Sequence, residues 1–183
     1  MVSNKDKQLM MTSAYQIPGM LWPSEQAWLA DQFHRSRNHV EVGTYGGRSL
    51  FCACWGMPGG AEVLAVDNFC ESDIGRDWAR SVCHATIQAI KARQRITINL
   101  LEATSIQAAR NYKGPMIDSV WIDANHHYAE CKADIEAWSH WVKPGGIICG
   151  HDYWHVHVGV MDAVNETGPF ELIPNTRIWM RRK

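Results

Sequence analysis

Apolar residues recur along this chain with two alternating periods. Short, mostly apolar runs at residues 39–42, 62–66, 96–101, 119–123 and 147–149 have the length expected of strands buried in a parallel sheet. The stretches between them repeat their apolar residues every three or four positions, as one face of a helix does. Cys131, Ile135, Trp138 and Val142, for example, predict a single buried helical face. Strands that alternate with helices predict an α/β fold.

The C-terminal part of the chain predicts a change in strand direction. After a helix carrying Val156, Val160 and Val164, two short apolar runs at residues 170–173 and 177–180 lie close together. So short a connection joins antiparallel strands but not parallel ones. The prediction is a doubly wound sheet of about seven strands, mostly parallel, that ends in an antiparallel hairpin.

The N-terminal part divides at about residue 20. Residues 1–20 are polar and weakly periodic, which predicts a flexible arm or a lid. Pro23, Ser24 and Glu25 then form a helix-start signal, and the predicted helix ends near residue 33. One domain is therefore expected over residues 21–183.

Composition agrees with one globular domain and excludes several function classes. The 183 residues are 46% hydrophobic and 20% charged, which suits one well-buried domain. A net charge of -1 gives no basic surface for nucleic acid. No apolar run approaches the roughly 18 residues that span a bilayer, and the N-terminus lacks a signal-peptide core. We expect a cytoplasmic protein that binds neither nucleic acid nor membrane.

Cysteine and tryptophan usage adds two expectations. All six cysteines except Cys70 lie in apolar patterns and no C-x-x-C pair occurs, so buried thiols are expected rather than disulfides or a metal cluster. The chain also has nine tryptophans. Tyr15, Trp22 and Trp154 are candidates for an aromatic acceptor pocket, and exposed tryptophans would suit a homodimer.

A glycine-rich turn follows the first predicted strand and is the candidate ligand site. Its sequence is Glu41-Val42-Gly43-Thr44-Tyr45-Gly46-Gly47-Arg48-Ser49. Glycines allow a tight turn without a Cβ between backbone and ligand, and the N-terminus of the following helix favours an anion. Tyr45 replaces the middle glycine of the G-x-G-x-x-G fingerprint, which disfavours a dinucleotide and ranks an NAD-dependent oxidoreductase last.

An acidic residue at the tip of the second strand points to an adenosine. Asp67 lies roughly 20 residues beyond the turn, followed by Asn68, where a carboxylate accepts hydrogen bonds from both ribose hydroxyls. Methyltransferases and dinucleotide enzymes share this feature. Thr104 and Ser105 follow the third strand as a turn that caps a helix, with Ser105 a possible N-cap.

Several signatures in this order resemble the class I S-adenosylmethionine-dependent methyltransferases. They are the Glu41-x-Gly43-x-x-x-Gly47 turn, Asp67, Ile122-Asp123-Ala124-Asn125-His126, Lys143-Pro144-Gly145-Gly146 and Gly150-His151-Asp152-Tyr153. Together they are similar to the small stand-alone enzymes related to catechol and macrolide-sugar O-methyltransferases. The resemblance implies a Rossmann-like fold and O-methylation of a small hydroxylated molecule, a sugar or a phenol.

The resemblance also assigns cofactor-binding residues. The methionine end of S-adenosylmethionine would lie against Glu41 and the glycine-rich turn, and the adenine would lie beside the residues after strand three. The implied set is Glu41, Gly43, Thr44, Tyr45, Gly47, Ser49, Asp67, Asn68, Thr104, Ser105 and Asp123.

A divalent metal is a further implication of the resemblance. In those relatives an aspartate ending strand four and an acidic or Asp-Asn pair ending strand five hold the ion, positions that match Asp123, His151 and Asp152. Oxygen ligands suit magnesium, whereas an imidazole favours zinc, iron or manganese, so the metal stays open. For catalysis the candidates are Asp123 and Asp152 together with His151 or His126 as the base that takes the acceptor's proton.

Two other functions fit the same residues. His151, Asp152 and a second histidine could form the two-His-one-carboxylate iron site of a hydroxylase-like enzyme on this fold. The second alternative is a non-catalytic protein that binds the cofactor and associates with another enzyme. His155 and His157 lie two residues apart near a helix start and are left out of the predicted site.

Overall fold

The computed structural model describes residues 2–70 and 75–183, and in them helices and strands alternate as predicted. The strands are β1 (Asn38–Val42), β2 (Glu62–Asp67), β3 (Thr97–Glu102), β4 (Ile117–Ile122), β5 (Val142–Gly150), β6 (Glu171–Leu172) and β7 (Trp179–Arg182). The helices are α1 (Asn4–Ala14), α2 (Pro23–Gln32), α3 (Arg48–Gly56), α4 (Arg76–Arg93), α5 (Ser105–Asn111), α6 (Tyr128–Trp141) and α7 (Val158–Glu166). Part of the polar segment at residues 70–76 lies outside the described residues, namely 71–74.

The seven strands form one mixed sheet in the order β3-β2-β1-β4-β5-β7-β6. The first five strands of that order pair in parallel, and β7 is antiparallel to both β5 and β6. The predicted sheet and its C-terminal hairpin are confirmed. Because the strand order reverses between β1 and β4, a crevice opens at their carboxyl ends, where α/β sheets bind ligands.

Helices cover both faces of the sheet, because alternate strand residues are apolar on both sides. One core joins α1–α4 to the sheet and includes Leu29, Phe33 and Trp121, all fully buried. The other joins α5–α7 to the opposite face, around Ile135 and Trp138. The buried face predicted for α6 is therefore confirmed.

The N-terminal segment is more ordered than its weak periodicity predicts. Residues 4–14 form α1, whose start is capped by Ser3, and Met10 and Ala14 are fully buried against the core. Residues 4–14 thus form a helix packed on the core, and an arm or lid over residues 1–20 stays a prediction. Only two side chains of α1 are buried, too few to give a recognisable apolar period. Residues 15–22 then run without regular structure towards the carboxyl ends of the strands.

The Lys143-Pro144-Gly145-Gly146 signature lies within β5, which begins directly where α6 ends and carries a register irregularity against Ile117 and Ser119 of β4. One further detail of the sequence prediction is wrong. Val156 lies before α7 and is 63% exposed, so it is not part of the buried face formed by Val160 and Val164.

The cysteine prediction is confirmed. Five cysteines are buried free thiols and Cys70 is exposed. Burial raises the pKa of Cys149 well above its usual value, so this thiol is unreactive at neutral pH. Among the described residues, no helix is long and apolar enough to cross a membrane.

A neutral histidine lies at the centre of the sheet. His39 of β1 is 1% exposed, with its ring against Phe33 and its Nδ1 2.7 Å from the Ser119 hydroxyl. Burial lowers the pKa of His39 to about 3. The folded protein therefore keeps this ring neutral under conditions in which the unfolded chain protonates it.

We expect His39 to make the fold sensitive to acid. Its contribution to stability is complete above the unfolded pKa near 6.5 and is lost as the pH falls towards 3, because only the unfolded chain gains the proton. Between pH 7.5 and 5.5 the wild type should lose about 1.4 kcal/mol more unfolding free energy than His39→Leu. Urea unfolding at both pH values measures this difference. His84→Leu, on the exposed face of α4, should match the wild type, and equal losses in wild type and His39→Leu would contradict the prediction.

Candidate active site

The carboxyl ends of β1, β2, β4 and β5 surround a cavity of about 670 Å³. That volume is typical of sites for small molecules and cofactors. Residues 18–21 of the segment before α2 form part of the opposite wall. Arg48 Nε donates to the Ile17 carbonyl at 2.6 Å, and Arg177 Nη2 donates to the Met20 carbonyl, so this wall is tethered to the domain at two points.

The structure brings nearly all residues of the predicted site together around this cavity. Those that line it are Gly43, Thr44, Tyr45, Ser49, Asp67, Asn68, Thr104, Ser105, Asp123, His126, His151 and Asp152. Glu41 and Gly47 lie behind the wall. Tyr15, Trp22 and Trp154, the candidate acceptor aromatics, are not part of the wall that the described residues form.

The glycine-rich turn packs directly on the end of β4. Gly43 has a φ of +85°, and a Cβ at this position would lie 2.0 Å from the Asp123 carbonyl oxygen. No other residue fits there. Gly47 caps α3 in the left-handed conformation, and Tyr45 adopts a φ of +51° between the two glycines. The turn therefore depends on its glycines for both backbone angle and close approach.

The polar groups of the turn differ in access to the cavity. Thr44 lines it, and its buried hydroxyl has no hydrogen-bond partner among the described residues. Glu41 is fully buried beneath and accepts a 3.1 Å hydrogen bond from the Ser49 hydroxyl. Burial raises the pKa of Glu41 well above its usual value. Glu41 thus orients Ser49 instead of reaching the cavity itself.

Asp67 links the turn to the end of β2. Its two carboxylate oxygens accept hydrogen bonds from the backbone N–H groups of Tyr45 and Phe69, at 2.6 and 2.7 Å. A carboxylate has about four acceptor positions, so Asp67 can still accept two hydroxyl hydrogen bonds. Asn68 beside it accepts from the Cys70 backbone N–H at 3.0 Å and lines the cavity.

Thr104, not Ser105, caps the helix after β3. The Thr104 hydroxyl accepts from the Gln107 backbone N–H. Ser105 is thereby free for the cavity wall, where its hydroxyl accepts a 2.9 Å hydrogen bond from Trp138 Nε1 and contacts Asp134. Burial raises the pKa of Asp134 to about 6.

An ion-pair cluster occupies the ends of β4 and β5. His151 Nε2 lies 3.0 Å from Glu25 Oε2, while His151 Nδ1 lies 3.2 Å from Asp152 Oδ1 and 3.7 Å from Asp123 Oδ2. Arg177 bridges the same carboxylates, with Nη2 3.0 Å from Glu25 Oε2 and Nη1 3.4 Å from Asp152 Oδ1. The side chain of Glu25 is fully buried and that of His151 is 3% exposed.

Burial and charge compete in this cluster, and charge prevails at its centre. Burial acts to lower the pKa of His151, but Asp123, Asp152 and Glu25 together raise it to about 10. Burial acts to raise the pKa of Glu25, but His151 and Arg177 lower it to about 2. At Asp123 the nearby positive groups offset less of the effect of burial, so its pKa rises to about 6. The surrounding carboxylates therefore favour the charged form of His151.

His126 forms a second pair with the other oxygen of Asp152. The His126 Nε2 atom lies 2.8 Å from Asp152 Oδ2, and this hydrogen bond raises the pKa of His126. The His126 side chain is 40% exposed and lines the cavity. The ring of His157, which the sequence prediction leaves out of the site, stacks on it at 4.2 Å.

Three residues near the site were missed for different reasons. Glu25 acts as the predicted helix-start residue, because its Oε2 accepts a hydrogen bond from the Trp22 backbone N–H at 2.7 Å. The helix-start motif gives no sign that Glu25 also contacts the site. Arg177 lies beyond the hairpin turn, 25 residues from Asp152, in no recognisable motif. His157 was set aside because its neighbour His155 suggested opposite orientations. No local pattern reveals such long-range pairs.

Solved structures share this fold. An O-methyltransferase from Bacillus cereus in complex with SAH is 18% identical, with a TM-score of 0.68, covering 100% of this chain and 93% of that one. A putative caffeoyl-CoA O-methyltransferase from Staphylococcus aureus is 11% identical, with a TM-score of 0.65 and coverage of 98% and 91%. The apo structure of CalS11, a TDP-rhamnose 3'-O-methyltransferase of calicheamicin biosynthesis, is 16% identical, with a TM-score of 0.60 and coverage of 100% and 96%.

Sequence comparisons agree with the structural ones. An uncharacterised protein of Sinorhizobium fredii, y4gI, is 28% identical over 128 residues, which is 68% of this chain but only 14% of that protein's length. The family model described as "Methyltransferase domain" matches residues 40–153, more than half of the chain, from the glycine-rich turn to the end of the ion-pair cluster on β5. The chain therefore belongs to the methyltransferase domain family, with the fold of the class I S-adenosylmethionine-dependent enzymes.

Proposed function

We propose that this protein transfers a methyl group from S-adenosylmethionine to a hydroxyl of a small molecule, a sugar or a phenol. The observation that carries the proposal is one cavity with two kinds of wall. The glycine-rich turn and Asp67 face one part of it, and Asp123, His126 and Asp152 face the other. A cofactor and an acceptor can thus share one space.

The residues of the first part fit the cofactor. Gly43 lets the turn pack against the backbone of Asp123 at the cavity, and the Thr44 hydroxyl is a buried polar group in need of a partner. Asp67 retains acceptor positions for the two ribose hydroxyls. Thr104 and Ser105 would flank the adenine. When bound, S-adenosylmethionine supplies an electrophilic methyl group on a sulfonium sulfur.

The residues of the second part fit proton removal from an acceptor hydroxyl. His126 is the more accessible of the two candidate histidines, and Asp152 holds its Nε2 and fixes the ring. The neutral ring can accept the acceptor's proton at its other nitrogen while the oxygen–methyl bond forms and the methyl–sulfur bond breaks. The products are the methylated acceptor and S-adenosylhomocysteine. Asp152 would then stabilise the imidazolium.

Support for the acceptor class comes from two sources. The names of two structural neighbours specify a sugar nucleotide and a caffeoyl ester as substrates of those proteins. In this chain Trp22 and Trp154 meet edge to face at 5.9 Å, each about 40% exposed, beyond the cavity wall. Aromatic faces at that position suit the apolar face of a sugar or a phenol ring.

A direct assay tests the proposal. The purified protein would be incubated with methyl-labelled S-adenosylmethionine and a panel of phenols, catechols and sugar nucleotides, and label transfer measured. Transfer to a hydroxyl of one compound class supports the proposal. Cofactor binding without transfer to any member of a broad panel would instead favour the non-catalytic partner subunit.

Asp67→Ala should weaken S-adenosylhomocysteine binding about 10- to 100-fold, because two hydrogen bonds from ribose to a charged acceptor are lost. Fluorescence titration of the tryptophans measures the affinity. Asp162→Ala, on the exposed side of α7, is the matched control and should bind like the wild type. Since Asp67 also holds Tyr45 and Phe69, the melting temperature must show that the variant is folded. A folded variant with wild-type affinity would contradict the ribose assignment.

His126→Gln should lower kcat about 100-fold or more, since the base is removed while the hydrogen bond to Asp152 can be kept. Affinity for S-adenosylhomocysteine should stay within a few-fold of the wild type. The assay compares the kcat of His126→Gln with that of the exposed control His84→Gln, using the acceptor that the panel identifies. An unchanged kcat in His126→Gln would rule out this histidine as the base.

A further inference from the structure

The carboxylates at the ends of β4 and β5 already have positively charged partners from distant parts of the chain. Glu25 of α2 contributes a further carboxylate, and Arg177, just before β7, contributes a guanidinium. His151 lies between them, with each ring nitrogen beside a carboxylate oxygen. Helix α2 and the C-terminal hairpin thus converge on the position where related O-methyltransferases are expected to hold a metal.

Glu25 fixes this arrangement from inside the protein. Its Oε1 accepts from the backbone N–H and Nε of Arg177, at 2.9 and 3.2 Å, and its Oε2 accepts from Arg177 Nη2 at 3.0 Å. Such a two-pronged contact restrains both position and orientation of a guanidinium. Arg177 is further held over the ring of Trp22 at 4.6 Å. The cation therefore cannot swing away without leaving the fully buried Glu25 without its partner.

Asp123, His151 and Asp152 lie close enough together to form a candidate metal set, but the contacts that they already make do not suit a divalent ion. A metal bound by Asp123, His151 and Asp152 needs a free nitrogen lone pair on His151 and a free oxygen on Asp152. His151 Nδ1 lies 3.2 Å from Asp152 Oδ1, and His151 Nε2 lies 3.0 Å from Glu25 Oε2 without meeting hydrogen-bond geometry among the described residues. The same Asp152 oxygen faces Arg177 Nη1 at 3.4 Å. A divalent ion at this position would lie beside His151 and Arg177. Both already contact Asp152, which would have to bind the ion.

The outer histidines do not offer a better site. His126 and His157 approach Asp152 closely enough to form a candidate two-His-one-carboxylate set. Their rings, however, stack at 4.2 Å with an interplanar angle of 30°. Lone pairs of imidazole lie in the ring plane, so stacked rings direct them side by side instead of at a common point. This geometry also disfavours the iron-dependent hydroxylase alternative.

We propose that His151 and Arg177, positioned by Glu25, take the place of the divalent metal, so that methyl transfer in this chain is metal-independent. The inference deepens the proposed function and rests on it. The Arg177 guanidinium lies beside two carboxylates that would otherwise repel an acceptor oxyanion near His126, and His151 fills the space between Asp152 and Glu25. Arg177 thereby supplies, from within the chain, positive charge next to the acceptor.

The test uses Mn²⁺ as the probe and electron paramagnetic resonance of the free ion as the readout, which needs no acceptor and no activity. Wild-type protein should show no saturable binding below about 1 mM Mn²⁺, with or without S-adenosylhomocysteine. The double variant His151→Asp/Arg177→Met removes both cations and adds a carboxylate next to Asp123 and Asp152. It should bind one Mn²⁺ at least about tenfold more tightly than the wild type. Arg182→Met, at the exposed end of β7, is the charge control and should behave like the wild type.

Saturable wild-type binding of one Mn²⁺ that is lost in Asp123→Asn or Asp152→Asn would overturn the proposal. A folded double variant that binds no Mn²⁺ would also count against it, since the cations would then not be what excludes the ion. If the double variant does not fold, the wild-type titration alone decides. Failure of the wild type to bind S-adenosylhomocysteine would contradict the proposed function and leave the Mn²⁺ result readable by itself.

Discussion

The close approach of Gly43 to the backbone of Asp123 is the constraint on which the site depends. It brings the turn after β1 against the end of β4 at the point where the strand order reverses. The backbone N–H of Gly43 also donates to the Val66 carbonyl at the end of β2, at 2.9 Å. One glycine therefore joins three strand ends. Asp67, the turn and Asp123 are held in one wall as a result.

The second organising feature is electrostatic and involves the two ends of the chain. Three carboxylates, Glu25, Asp123 and Asp152, share the space at the ends of β4 and β5 with the cations His151 and Arg177. A buried cluster of this kind is stable only when its charged groups have close partners of opposite sign. Helix α2 and the C-terminal hairpin contribute one member each, so parts outside the strand-turn-helix motifs complete the site.

Sequence patterns predicted the sheet well because buried parallel strands and one-sided helices leave strong apolar periods. Most cofactor-side residues were also predicted, since the turn and Asp67 follow directly from strand ends. What could not be predicted are contacts between segments far apart in the chain, such as Glu25 with Arg177, 152 residues away. Helix α1 was missed because only Met10 and Ala14 of its side chains are buried. Glu41 lies beneath the cavity wall, and sequence alone does not tell whether a side chain lies on a wall or beneath it.

Calorimetric titration of the wild-type protein with S-adenosylhomocysteine and, separately, with NAD tests the central claim most directly. The cavity, its glycine-rich turn with Tyr45 at the middle position and the carboxylate of Asp67 predict one bound S-adenosylhomocysteine per chain and no heat from NAD. Binding of NAD alone, or of neither compound to a folded protein, would contradict the account of this cavity as a methyltransferase cofactor site.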